Sequence, residues 1–307
     1  MNAPARNPSL DSLSWYESTA RQRLEAFTDP GSFKEFIGPE QRELSPHLKL
    51  FDLPEQFDDG MIVGRAQLDG KPVLIAAQEG RFMGGAFGEV HGAKLTGLLR
   101  AAAKLKRDVV ILFDTGGVRL QEANAGELAI AEIMRALVQA RAAGVRVVGL
   151  IGGRAGCYGG GSLIAGCCSA LAISEQGRLS VSGPEVIETN KGVEEFDSKD
   201  RALVWRTMGG KHRYLIGGVD LFAADTVAAF RAAALEALGR PARLDRATLQ
   251  AEQARLERRL QRFGQDRDAL DIWRHLGIDQ AETTPSMSSR DFLAAVQAKR
   301  EQADEAR

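Results

Sequence analysis

Hydrophobic and polar positions divide the chain into three stretches. Residues 1–60 read as mostly helical and irregular: Ser14 with Glu17 fits a capping box, Trp15, Ala20, Leu24 and Phe27 follow on roughly one face, and Asp29-Pro30-Gly31 stops the helix. "MIVGRAQL" and "KPVLIAAQ" then flank Asp69-Gly70, which tolerates the positive φ of a two-residue turn, so residues 61–78 predict a β-hairpin. From there a unit recurs: an apolar strand, a glycine-rich bend and a helix. "PVLIAAQ" leads through "FMGGAFG" to "EVHGAKLTGLLRAAAKL", and "DVVILFD" through "TGGVRLQE" to "AGELAIAEIMRALVQARAAG". "VRVVGLI" leads through "GGRAGCYGGG" to "SLIAGCCSA", with the strand "LAIS" behind it. Near-continuous apolar strands alternating with helices imply parallel pairing with both sheet faces covered.

The last sixty residues change character. "AEQARLERRLQRFGQDRDALDIWRHLGI" places Leu256, Leu260 and Phe263 at helical spacing, and the polar "AETTPSMSS" separates it from a final helix. These helices are expected to pack on the core or on a partner chain, and the tail "KREQADEAR" to fray. The expected organisation is an N-terminal helical segment over 1–60, an α/β core over 61–245 and a C-terminal helical segment over 246–307.

Composition narrows the function by exclusion. The 307 residues are 44% hydrophobic and 26% charged with a net charge of −1, which gives no electrostatic footprint for nucleic acid and no polybasic membrane patch. No stretch resembles a secretion signal or a membrane span, so a cytoplasmic protein is expected. Cys157, Cys167 and Cys168 form neither a disulfide framework nor a CxxC pattern, and His47, His91, His212 and His275 give no HxxxH pair, so no metal is expected. Cys157 precedes a helix start, which lowers a thiol pKa in principle. Without a histidine paired to it in the sequence, it reads as a small hydrophobe like the other two cysteines.

The glycine bends carry the candidate chemistry. Neither 84–88 nor 156–161 has the glycine order of a dinucleotide fingerprint, Gly210-Lys211 is followed by His212 rather than Ser or Thr, and Ser162 is not in a G-x-S-x-G elbow. What remains is backbone. A helix N-terminus offers unpaired N–H groups and about half a positive charge, and glycine lets a ligand approach them. Gly84-Gly85-Ala86 and Gly159-Gly160-Gly161 are therefore two candidate mouths for a developing oxyanion, expected side by side at one edge of the sheet. Such bends also serve as close-packing devices, and spacing alone does not separate the two roles.

"FMGGAFGEVHGAKL", "FDTGGVRLQE" and "ALAISEQGRLSVSGPEVIE", in that order over residues 61–220, resemble the carboxyltransferase family of the crotonase-like superfamily. "SWYESTARQRLEAFTDPGSFKEF" and "SPHLKLFDLPEQFDDGMIVGRAQLDGKPV" extend the resemblance to the β subunits of biotin-independent malonate decarboxylases. The four-cysteine zinc ribbon of bacterial acetyl-CoA carboxylase β subunits has no counterpart, since the first 150 residues contain no cysteine. The resemblance implies a crotonase-like core of mainly parallel strands flanked by N- and C-terminal helices. It also implies decarboxylation of malonyl-S-acyl carrier protein to acetyl-S-acyl carrier protein and CO₂. The implied partners are a γ subunit, the acyl carrier protein and an acyl-carrier transferase subunit. The substrate arm would be the carrier's dephospho-CoA-derived prosthetic group, with no cofactor bound directly by this chain. A carboxyltransferase half of a biotin-dependent enzyme and a non-catalytic scaffold are the competing readings.

On this basis the amides of Gly85 and Ala86, and those of Gly160 and Gly161, are the candidate oxyanion donors. Gly84, Gly159 and Gly183 are candidate substrate contacts, the last beside Pro184 at the first turn of a helix. Arg154 is a candidate partner for a carboxylate or phosphate. His91 is a candidate proton donor to the enolate, with Glu89 a second choice or a helix-start charge. The locally basic Lys199, Arg201, Arg206, Lys211, His212 and Arg213 read as a solvated face or as a receptor for carrier phosphates.

Overall fold

In a computed structural model the chain is described over residues 8–41, 43–51, 59–241, 244–278 and 280–304. The short helix α1 (Pro8–Asp11) and α2 (Ala20–Phe27) precede β1 (Lys34–Glu35), β2 (Met61–Leu68) and β3 (Lys71–Gln78). Asp69 (φ 54°) and Gly70 (φ 71°) turn the chain between β2 and β3, which pair antiparallel from Leu68↔Lys71 to Met61↔Gln78. The hairpin is the one the dipeptide calls for. Helix α3 (Glu89–Leu105), β4 (Val109–Phe113), α4 (Asn124–Ala142), β5 (Val147–Ile151), β6 (Cys157–Tyr158), α5 (Gly159–Gly166) and β7 (Ala170–Ser174) follow. After them come β8 (Leu179–Ser180), α6 (Pro184–Lys191), α7 (Arg201–Met208), α8 (Gly210–Leu215), β9 (Leu221–Ala223) and α9 (Val227–Gly239). Helices α10 (Arg246–Phe263), α11 (Ala269–His275) and α12 (Ser289–Asp304) complete the described residues.

The main sheet has the order β1-β2-β3-β4-β5-β7-β9, parallel from β3 onward, and β6 pairs with β8 in a small second sheet. Alternation assigns each strand residue to a face. Val109, Ile111 and Phe113 join the core under α3 and α4, whereas Val110 and Leu112 join the core under α2 and α9. Every residue of β4, β5 and β7 is buried, which is why these strands read as unbroken apolar runs. Trp15 anchors the N-terminal segment, stacked on Phe230 at 4.2 Å and edge-on to Phe27 at 5.8 Å.

Two boundaries differ from the sequence reading. Ser14 does receive the Glu17 amide (3.1 Å), but its hydroxyl donates to Asp225 and the segment is a turn; the capping box belongs to Thr19 and Gln22, one helical turn later. The expected fraying of 299–307 meets a helix running to Asp304, and 305–307 lie outside the described residues.

The C-terminal helices carry a small core of their own, with Trp273, Phe292 and Leu215 at its centre. Within it Trp273 Nε1 donates to His212 Nδ1 at 3.0 Å. Burial, followed by Arg213 and Arg259, lowers the His212 pKa from 6.5 to about 3. The folded state therefore binds this proton more weakly than the unfolded chain. The stability that depends on neutral His212 is complete above pH 6.5 and is lost as pH falls toward 3. Between pH 6.5 and 5 wild type is expected to lose roughly 2 kcal/mol more than His212→Gln, whose amide oxygen still accepts from Trp273. Urea unfolding at pH 7, 6 and 5 reads the difference; equal slopes contradict it.

Candidate active site

The loops that leave the carboxyl ends of successive strands are hydrogen-bonded to one another in series. Gly116 N donates to Gly84 O (2.7 Å) and Phe87 N to Gly117 O (2.7 Å). Thr115 N donates to Gly156 O (2.8 Å), Tyr158 N to Thr115 O (3.0 Å) and Cys157 N to Arg178 O (2.8 Å). Gly159 N donates to Val181 O (2.9 Å). The turn at Gly116-Gly117 thus joins the two glycine clusters, and a Cβ on Gly159 would lie 3.2 Å from the Gly117 Cα. In the sequence this "TGG" is a bend between a strand and a helix. Its signal is a glycine pair two residues beyond the β4 carboxyl end, the side on which ligands bind in open α/β sheets.

The two clusters are not equivalent. Helix α5 starts at Gly159, as the second mouth requires, and the Gly160 and Gly161 amides lie in its first turn, where the helix itself supplies no acceptor. Gly159 and Gly160 are half-exposed. A Cβ on Gly160 would meet Ile130 Cδ1 at 2.6 Å, and one on Gly161 would collide with the Thr115 methyl, so glycine here also serves close packing.

At the first cluster the expectation needs correction. Gly84-Gly85-Ala86 is not a helix start: Met83, Gly84 and Gly85 form a tight turn with φ of 49°, 62° and 65°, and α3 begins at Glu89 with Gly88 as its cap. The Gly85 amide is spent on Phe82 O (2.8 Å) and the Ala86 amide on Met83 O (3.2 Å), so neither offers a free donor to an oxyanion. Gly85 is required for another reason. Beyond its positive φ, any Cβ would run into the Asp114 carbonyl oxygen.

The remaining candidates separate. His91 is wholly buried on α3, edge-on to Phe87 at 4.9 Å, and burial, then Arg119 and Lys94, hold its pKa well below 6.5. It is a neutral imidazole inside the core and not an acid facing the glycine loops. Arg154 is half-exposed and its guanidinium pairs with Glu17 and lies 5.5 Å from the Tyr16 ring centroid, so it already has a carboxylate. Gly183 caps α6 with Pro184 at its first turn, as expected. Glu89 is exposed and pairs with His47 at 3.0 Å, while its amide donates to the buried Glu122. Burial pushes the Cys157 thiol well above its usual range, which suits a core hydrophobe and not a nucleophile. The basic stretch divides: Lys199 and Arg201 are exposed, but Lys211 is buried with Glu175 at 2.8 Å and the carbonyls of Pro285 and Met287, and His212 is buried with Trp273.

A buried ion pair supports this edge from below. Asp114, directly after β4, accepts from Arg23 Nη1 (2.9 Å) and from the Ala155 amide (2.7 Å). Both side chains are almost completely enclosed, at 1% and 4% exposure. Burial raises the Asp114 pKa, opposed by Arg23.

A mostly parallel sheet whose strands feed glycine turns and an amide-lined helix start defines an α/β protein of the crotonase-like class. A carboxyl transferase domain matches residues 16–234, and the chain belongs to that family. It is 39% identical, over 96% of its length and 99% of the relative's, to malonyl-S-ACP:biotin-protein carboxyltransferase of Malonomonas rubra. Acetyl-coenzyme A carboxylase carboxyl transferase subunit beta of a Synechococcus species is 31% identical over 57% of this chain and 58% of that one. Among solved structures, a chain of a Pseudomonas malonate decarboxylase hetero-tetramer in complex with malonate superposes with a TM-score of 0.79 at 39% identity, covering 87% of this chain and 98% of that one.

Proposed function

We propose that this chain is the malonyl-thioester subunit of a decarboxylase that converts malonyl-S-acyl carrier protein into acetyl-S-acyl carrier protein and CO₂. The observation that carries the reading is the all-glycine start of α5, whose first-turn amides at Gly160 and at the buried Gly161 have no acceptor one helical turn back within the helix. When the carbon–carbon bond to the carboxylate breaks, its electron pair moves into the thioester and leaves an enolate oxygen. Two N–H groups at a helix N-terminus stabilise that charge without reorganising. Protonation at carbon then gives the acetyl thioester. Gly159 and Gly117 let the thioester approach the amides, and Gly84 and Gly85 hold the adjoining loop. Gly183 lies at the acyl side through Val181, whose carbonyl receives the Gly159 amide. The proposal assigns no role in the reaction to Arg154, engaged by Glu17, or to His91, in the core.

The apolar side chains around α5 support a partnered site. Leu163 and Val181 are 45% and 62% exposed beside the glycine loop, and Leu120 and Leu128 nearby in sequence to the Gly117 turn are 84% and 65% exposed. A second crotonase-like chain, the γ subunit, covers this rim in the proposed assembly and completes the carboxylate end of the site. The acyl carrier protein delivers the dephospho-CoA-derived arm, an acyl-carrier transferase subunit loads it, and the complex works in the cytoplasm.

The Malonomonas relative's name favours one other reading, in which the carboxylate passes to a biotin protein. CO₂ release from malonyl-S-acyl carrier protein by the assembled subunits, measured with and without avidin, separates the two. Undiminished release with avidin is expected; release that stops establishes the biotin route instead.

A further inference from the structure

Four charged side chains are enclosed beside the first glycine turn. Arg119 and Glu122 pair at 3.1 Å with neither side chain exposed, and Lys94 pairs with Asp59 at 3.2 Å with 5% and 0% exposed. Enclosing an ion costs several kcal/mol, and apolar residues of similar volume often hold a core as well or better. Stability alone is therefore a weak reason for such a cluster. Direction is a stronger one, because a planar guanidinium donates only along its rigid fork.

The Arg119 side chain sits where three segments meet. It donates to the Asp59 carbonyl ahead of β2, reaches Glu122, and lies 5.2 Å from the ring centroid of Phe82, which opens the first glycine turn. Glu122 in turn accepts the Glu89 amide at the start of α3. No slack is left between these groups: a Cβ on Gly88 would lie 2.6 Å from both Arg119 Nη1 and the Glu122 carboxylate. Leu120 between them is 84% exposed, whereas Arg119 and Glu122 are each at 1%, so changes to the pair leave the outer rim untouched.

The Arg119 backbone carries the constraint on to α5. Its amide donates to Phe87 O (2.8 Å) and the Phe87 amide to Gly117 O (2.7 Å), on either side of a parallel bridge between Phe87 and Val118. The Gly117 amide is held by Thr115 Oγ1 at 3.1 Å. A Cβ on Gly161 would collide with the Thr115 methyl and lie 3.3 Å from Phe87 Cε2, so both side chains seat the first turn of α5. We propose that Arg119 is a positioning residue for the oxyanion amides: paired with Glu122, it sets the bridge between Phe87 and Val118 and through it the attitude of Gly160 and Gly161. This role rests on the decarboxylase reading and adds to it a residue that never meets the substrate.

Arg119→Met combined with Glu122→Gln removes both charges and keeps an acceptor for the Glu89 amide. In the assembled enzyme acting on malonyl-S-acyl carrier protein, kcat is expected to fall about 10²-fold while KM stays within about twofold and Tm holds. A pair that serves only stability predicts activity that follows Tm. Arg119→Lys keeps the charge without the fork; it should lose about tenfold in kcat and speed amide exchange across 159–166, and it keeps the test decisive if the double variant does not fold. Placed on Gly160→Pro, the double replacement should cost only about threefold more, since the donor it orients is gone. Wild-type kcat in the folded double variant, or wild-type kcat and exchange in Arg119→Lys, overturns the positioning role and leaves the decarboxylase reading standing. The full loss repeated on Gly160→Pro places the effect elsewhere and overturns the role as well. Equal turnover by Gly160→Pro and Gly160→Ala removes the amide reading itself, and the role of Arg119 with it.

Discussion

Gly160→Pro is expected to turn over a malonyl thioester about 10²–10³-fold more slowly than Gly160→Ala, with the loss in kcat. Both variants place a Cβ against Ile130, 2.6 Å from its Cδ1, and both must be accommodated by rotation of that side chain. Only proline removes the N–H. The first turn of a helix tolerates proline because its amides have no intrahelical acceptor. Removing one oxyanion donor corresponds to roughly 2.7–4 kcal/mol of transition-state stabilisation. Tm values for both variants, taken alongside the kinetics of the assembled enzyme, separate lost donation from lost folding. A folded Gly160→Pro enzyme with the kcat of Gly160→Ala removes the amide from the mechanism. Gly85 is unsuited to the same experiment, because its positive φ and the Asp114 carbonyl make any side chain a structural lesion.

Asp114→Asn should lower stability by about 3–5 kcal/mol. The asparagine keeps the shape and can still accept from Ala155, but it leaves the Arg23 guanidinium charged and enclosed at 1% exposure. Breaking one side of a buried pair costs more than removing both, so Arg23→Met combined with Asp114→Asn should recover part of the loss. Urea unfolding of the two single variants and the double variant measures the coupling. An Asp114→Asn loss below about 1 kcal/mol would show that the pair contributes little to holding the N-terminal segment on the sheet.

Much of this fold is legible because local rules and tertiary packing agree. The Asp69-Gly70 turn, the unbroken apolar runs of β4 and β5, and the helix start at Gly159 each follow from residues within a few positions of one another. What was illegible depends on distant partners. Gly85 and Ala86 looked like donors until the Met83 turn consumed their amides. At Ser14 half of the capping box is present, since the Glu17 amide reaches its hydroxyl, but the Glu17 carboxylate pairs with Arg154, 137 positions away. Arg23 and Asp114 are 91 positions apart, and nothing in either neighbourhood announces the pair. His91 looks reactive in a string of letters and inert once burial is known, and burial also acts against the Cys157 thiolate, in keeping with its reading as a small hydrophobe.

The serial lacing of the strand-end loops bears on how such a chain can diversify. Each loop's backbone groups are claimed by the next, so lengthening the segment after β3 by one residue would shift the pairing of Gly84 with Gly116, and through Thr115 the start of α5. Insertions and deletions among descendants of this sequence should therefore accumulate at the other rim, in the connections that follow α3, α4 and α9, while the laced loops change by substitution at constant length.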